Sequence, residues 1–162
     1  MQINTWFIAM AILLALSCIG YSCAKKKMND TLFEESKAVD LSFYKGKDTL
    51  YSPKGGSPHG NFKLKFNAIA LTSLGADGKL PSGSIFAEGS LIVKEIYSEN
   101  KLSLYVSMKK DSKSKYAAKN WVWAEYKPNG FAYYNVSKKG KGCVSCHSSS
   151  DTRDYTRSFD LH

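Results

Sequence analysis

Late in the chain stands Cys143-Val144-Ser145-Cys146-His147, a C-x-x-C-H pentapeptide. This is the attachment signature of haem c. Two residues between the cysteines let both thiols reach one porphyrin edge and add to its vinyl groups as thioethers. His147 follows at once and is held where it can ligate iron from the proximal side. The cofactor this predicts is one covalently attached haem c, with Cys143, Cys146 and His147 as its binding residues and His147 as the metal ligand. Two other readings compete: a thioredoxin-like C-x-x-C, or half of a zinc site. The zinc reading lacks a second Cys/His pair, because His59 and His162 stand alone. The redox reading lacks a βαβ pattern around the motif.

With 162 residues, the chain is long enough for one domain with its own core. Hydrophobic residues at 43% place it among globular proteins, and aromatics at 13% suit a β-rich core and the wall of a haem pocket. The net charge of +9 raises the question of a polyanionic partner. The lysines are dispersed and no nucleic-acid motif accompanies them, so nucleic acid is not the expected partner.

Met1 to Cys23 carry no Asp, Glu, Lys or Arg. Within them Trp6 to Tyr21 is apolar, short for a spanning helix and long enough for a signal-peptide core. The leader opens MQINT, without the usual basic residue, so an uncleaved anchor is the alternative. Either way the rest of the chain is expected outside the cytoplasm, in the periplasm or as a cell-envelope or outer-membrane lipoprotein. Cys18 and Cys23 each follow a serine in an imperfect lipobox. Cys23 is favoured for acylation because the polar run AKKKMND follows it directly. A multiply acylated cysteine would hold the chain to a membrane. Only Cys143 and Cys146 would then remain for the folded domain.

Three segments follow from this reading: a leader over 1–23, an N-terminal segment with a short helix over 24–56, and a haem c domain over 57–162. Asn29 and Asp30, ahead of Leu32 and Phe33, predict a helix start. Tyr51 to Gly60 is a Pro/Gly/Ser loop whose His59 is a candidate distal ligand or a surface histidine. Phe62, Leu64 and Phe66 alternate with Lys63 and Lys65, the period of a strand. Ser90 to Tyr97 and Leu102 to Val106 read as two more. Asp111 to Asn120 reads as one or two helical turns. Trp121 to Tyr126 and Phe131 to Val136 form a hairpin through Lys127-Pro128-Asn129-Gly130. The fold class is therefore mainly β (α+β), an antiparallel sheet of about five strands with a few short helices. Small all-helical cytochromes carry C-x-x-C-H early and a methionine ligand later, whereas here the motif is late and no methionine follows it.

His59-Gly60-Asn61, Phe66-Asn67, Pro81-Ser82-Gly83 or Glu88-Gly89-Ser90 before Ile92-Val93-Lys94-Glu95, Trp121-Val122-Trp123-Ala124 and the late C-x-x-C-H together resemble the cytochrome P-460 family. Cytochrome c′-beta is a close relative. The similarity runs roughly from Ser57 to Phe159. It implies an antiparallel β fold, often a homodimer, with a five-coordinate haem and an open distal face. Catalytic members bond the V-K-E lysine to the porphyrin and oxidise hydroxylamine. The c′-beta members line the distal face with apolar bulk and bind nitric oxide. Lys94 matches that lysine and is the candidate cross-link; an ordinary surface lysine is the alternative.

Catalytic members also place a carboxylate on the strand matching Leu102 to Lys110. This chain reads LSLYVSMKK there, without an acid; either Glu95 is the proton relay, or no distal acid exists, which weakens the hydroxylamine reading. Met108 is a candidate pocket-wall residue or sixth iron ligand. Lys138, Lys139 and Lys141 are candidates for balancing haem propionates or docking an acidic redox partner such as another cytochrome, and Arg153 or Arg157 for pairing with a propionate. The expected function is an exported mono-haem c-type cytochrome that binds or oxidises a small nitrogenous ligand, hydroxylamine or nitric oxide. The alternatives are a six-coordinate electron carrier and a non-catalytic nitric-oxide-binding protein.

Overall fold

A computed structural model describes residues 22–54, 57–148, 153–157 and 159. The apolar leader, Cys18 and His162 lie outside the described residues. The frame is one antiparallel sheet in which each strand pairs with the next in sequence. Its strands are β1 (Ser42–Phe43), β2 (Asn61–Phe66), β3 (Leu91–Ser98), β4 (Lys101–Lys110), β5 (Trp121–Tyr126) and β6 (Ala132–Tyr134). The count is six rather than about five. The added strand, β1, comes from the N-terminal segment and pairs Ser42 with Phe66 and Phe43 with Lys65. Two residues are too few to show a period of two, so this strand exists only through its partner.

Both sheet faces are covered. Phe62, Leu64 and Phe66 of β2 pack with Ile92 and Ile96 of β3, Met108 of β4 and Trp121 and Trp123 of β5 on one face. Leu91, Val93, Val122, Ala124 and Tyr126 pack on the other, against Leu32. The Leu, Ile, Val, Phe and Met side chains among them each contribute roughly 1.5–3 kcal/mol on burial. Two-sided cover explains why β3 is nearly all buried rather than cleanly alternating.

The second face is closed by α1, a helix over residues 22–36. Phe33 meets Tyr105 and Tyr126, the Ser36 and Ser107 hydroxyls share a 2.7 Å hydrogen bond, and Lys109 pairs with Glu35 at 2.7 Å. Asn29 does not cap this helix, which is already running when it reaches it. It is buried, and its Oδ1 accepts from the Val136 amide at 3.2 Å, anchoring the chain just before the haem motif.

Residues 111–120 form tight turns, not the helical turns expected. The Ser114 amide donates to the Asp111 carbonyl at 3.2 Å and the Ala117 amide to Ser114 at 3.0 Å. Lys119 and Asn120 then take left-handed φ values of 56° and 66°, which turn the chain into β5. The apolar residues of this link, Tyr116, Ala117 and Ala118, are consecutive rather than spaced at helical intervals, so they make core contacts without forming a helical stripe. The β5–β6 hairpin turns where expected, with the Gly130 amide on the Lys127 carbonyl at 2.9 Å. A short helix, α2 (Ala68–Thr72), is capped by Asn67, whose side chain accepts from the Ala70 amide.

Candidate haem site

The C-x-x-C-H motif forms its own helix, α3 (Cys143–His147). Positions three and four apart share a helix face, so Cys146 and His147 both lie on the side of Cys143. The chain reaches this helix from β6 through left-handed residues: Lys139 at φ 48°, Gly140 at 64° and Gly142 at 88°. The Tyr134 hydroxyl donates to the Lys141 carbonyl at 2.9 Å and holds the lysine-rich link against the end of the sheet. Both cysteines are free thiols. Burial pushes the Cys143 thiol up in pKa, and its hydrogen-bonding contact with Tyr134 pulls the other way.

His147 is fixed on two sides. Its Nδ1 lies 2.7 Å from the Tyr155 carbonyl oxygen, and its ring meets Trp123 edge-on at 5.0 Å. A carbonyl only accepts, so Nδ1 carries the proton and Nε2 keeps its lone pair. Burial lowers the His147 pKa to about 4, against the Tyr155 hydrogen bond, with Lys94 and Arg157 adding to the lowering. The ring is therefore neutral near pH 7, the form that ligates metal.

In front of α3 opens a cavity of about 300 Å³. Ile92, Val106, Met108 and Trp123 make its apolar wall, Cys143, Cys146 and His147 its floor, and Ser57, Pro58 and His59 its lip. Lys94 enters it from β3, with Nζ 4.4 Å from the Phe62 ring centroid. Burial, and then the nearby Arg157, lower its pKa to about 8. Although Lys94 is only partly buried as a residue, its charged end is the desolvated part. His59 also reaches the cavity, with a pKa lowered to about 4 by burial, then Lys94, then His147.

The sheet's two-residue period separates the two candidates on β3. Lys94 faces the cavity, whereas Glu95 points to the opposite face and pairs with Lys65 at 2.7 Å. Glu95 is thus not brought to the site, contrary to the role expected for it. The carboxylate that does line the cavity is Glu125 on β5. Val106 of β4 pairs with both Lys94 and Glu125, so the amine and the carboxyl stand in one row across the sheet. Burial raises the Glu125 pKa and Lys138 opposes the rise. The alternation along Trp121-Val122-Trp123-Ala124-Glu125 already placed Glu125 beside the two tryptophans, so its signal was in the sequence. Arg157 lines the cavity and donates to the Cys146 carbonyl at 2.8 Å. Arg153 instead donates to the Leu80 carbonyl. Cys23 lies exposed on α1.

A family model described as cytochrome P460 matches residues 44–158, most of the chain. The chain belongs to the cytochrome P460 family. No curated protein matches it. As a cytochrome P460 family member it is a haem-binding protein, and the residues present fit that group. Two free thiols and a neutral imidazole share one helix beside an apolar cavity. Arg157 Nε is buried there with no partner among the described residues, a donor suited to a propionate. No group of three or more His, Cys, Asp and Glu that could hold a bare metal ion occurs among the described residues.

Proposed function

We propose that this cytochrome P460 family protein is an exported mono-haem c-type cytochrome that binds or oxidises a small nitrogenous ligand, hydroxylamine or nitric oxide. Cys143 and Cys146 are its thioether tethers and His147 its proximal iron ligand. The bound haem supplies Fe(III)/Fe(II) electron exchange. The observation that carries the reading is the cavity in which Lys94 and an apolar wall face the C-x-x-C-H helix.

Lys94 is the candidate cross-link. A pKa near 8 leaves part of its amine unprotonated at neutral pH, and only that form is a nucleophile. Lys94 would be the residue placed to hold the porphyrin through Nζ, with its unprotonated amine facing the cavity. For hydroxylamine oxidation Glu125 takes the proton-accepting role sought from Glu95, since it lines the cavity and burial raises its basicity. The β4 side chains at the cavity, Val106 and Met108, carry no acid and favour the second reading, non-catalytic nitric oxide binding.

The leader over 1–23 serves export, with Cys23 or Cys18 acylated to hold the protein at the cell envelope. The lysines ahead of Cys143 dock an acidic redox partner, and the domain pairs as a homodimer.

Expression in a host able to mature c-type cytochromes tests the reading. Intact mass should show one haem that denaturation does not release, and Cys143→Ala with Cys146→Ala should abolish it. A red-shifted Soret band lost in Lys94→Ala, with electrons drawn from hydroxylamine, marks the enzyme. An ordinary c-haem spectrum that responds to nitric oxide marks the binding protein. Low-spin six-coordinate iron in both oxidation states defeats both in favour of an electron carrier. A colourless product with the mass of the bare polypeptide defeats the haem assignment.

A further inference from the structure

Among the described residues, the ion pair with the least exposed side chains lies outside the cavity, between the sheet and the 153–156 turn. Lys110, at the end of β4, is 4% exposed. Its Nζ reaches both oxygens of Asp154, at 2.8 and 2.7 Å, and sits 4.9 Å over the Trp121 ring. The Phe86 amide donates to the same carboxylate at 2.9 Å. A buried pair is a costly way to gain stability, since apolar side chains of similar size serve as well or better. Its strength is to fix one geometry, because each charge tolerates only a narrow set of positions.

What it fixes here is the turn that holds His147. Arg153 and Thr156 bridge each other, amide to carbonyl, at 3.2 and 2.9 Å. The two residues between them, Asp154 and Tyr155, take left-handed φ values of 47° and 64°. Neither is glycine, so this conformation persists only where surrounding contacts impose it. Asp154 is the turn residue anchored to the sheet, and Tyr155 is the one whose carbonyl takes the His147 proton.

We propose that the Lys110–Asp154 ion pair is a positioning device for the iron ligand: it pins the 153–156 turn to β4, holds the Tyr155 carbonyl on His147 Nδ1, and thereby sets how strongly that imidazole donates to iron. The proposal rests on His147 as the proximal ligand. A histidine whose second nitrogen donates to a well-placed carbonyl is the more basic ligand, and a more basic ligand favours Fe(III).

The test is Asp154→Asn in the mature haem protein. Asparagine keeps an acceptor for the Phe86 amide and removes the charge that holds Lys110. The iron–histidine stretching band of the ferrous protein should move to lower frequency. The ferrous-to-ferric ratio at a fixed poise should rise severalfold, a tenfold rise being about 59 mV for one electron. Lys110→Arg, which keeps the pair, should retain parental values. Glu95→Gln, which breaks the Lys65 pair on the far face, should lower stability without moving band or potential. Parental values in Asp154→Asn, or an equal shift in Glu95→Gln, overturn the proposal. If Asp154→Asn yields no holoprotein, Lys110→Gln takes its place, and an unmoved band there overturns it equally. Failure of the His147 assignment is a separate outcome, seen as survival of the parent's stretching band in His147→Ala.

Discussion

The Trp123 indole meets the His147 imidazole edge-on, with centroids 5.0 Å apart and planes at 78°. Trp123 is itself held by a hydrogen bond from its Nε1 to the Ala118 carbonyl at 3.1 Å. A residue of the sheet therefore sets the orientation of a residue of the haem motif. Trp123→Leu removes the edge contact and leaves the Ala118 carbonyl without this donor. It should lower stability by about 3 kcal/mol, as large core truncations do, and cut the yield of holoprotein. Urea denaturation together with the ratio of Soret to protein absorbance checks this; a change below about 1 kcal/mol with full haem content counts against it.

Gly140 is tight for a second reason beyond its φ of +64°. A Cβ there would fall 2.8 Å from the Trp123 ring and 2.9 Å from Val144. Gly46 has a similar φ, +66°, with nothing within 4 Å. Gly46→Ala should thus incur only the backbone cost of about 1 kcal/mol, and Gly140→Ala that plus overpacking, about 2–4 kcal/mol in all. Equal thermal shifts for the two variants would mean that the Trp123 contact relaxes freely.

Lys94 gives the site a pH signature. Burial, then Arg157, takes its pKa from 10.5 to about 8. Between those values the unfolded chain binds more protons than the folded one, so stability rises with pH across the window. In polypeptide purified without haem, Lys94→Met should flatten that rise. It should also raise stability near neutral pH by about 1 kcal/mol, the desolvation cost being discounted for solvent screening. Denaturation curves on both sides of the window decide it; an undiminished rise in the variant would assign it to another group.

The two carboxylates should separate cleanly. Burial raises the Glu125 pKa, so the folded chain keeps a proton that the unfolded chain has lost, and stability falls as pH rises through that pKa. Glu125→Gln should abolish this fall and change the pH dependence of ligand binding. Glu95→Gln should leave ligand binding alone and lose on the order of 2 kcal/mol with the Lys65 pair, which lies between surface and fully buried cases. A ligand-binding profile altered by Glu95→Gln and untouched by Glu125→Gln would reverse the assignment.

The strands were legible where a period of two runs over several residues, as in Phe62-Lys63-Leu64-Lys65-Phe66 and along Leu102 to Val106, and β5 through the turn sequence that follows it. The haem motif was legible because its spacing is local. Lys94 and Glu95 were both candidates for the site, although neighbours on a strand face opposite ways; no strand alone says which face meets the cavity. The long reach of α1 was hidden too, because Asn29 has the character of a cap and serves instead as a side-chain acceptor for Val136.

Chemistry carried by neighbouring residues was settled by the order of the amino acids: two thiols and an imidazole within one helical turn, and alternating strands ready to form a sheet. Tertiary structure decided which distant groups meet them. That Lys94, Glu125 and Arg157 share the cavity while Glu95 does not, and that Asp154 is tied to Lys110, depends on strand register and on a turn far along the chain. Those contacts join residues tens of positions apart, and their geometry is fixed only once both faces of the sheet are packed.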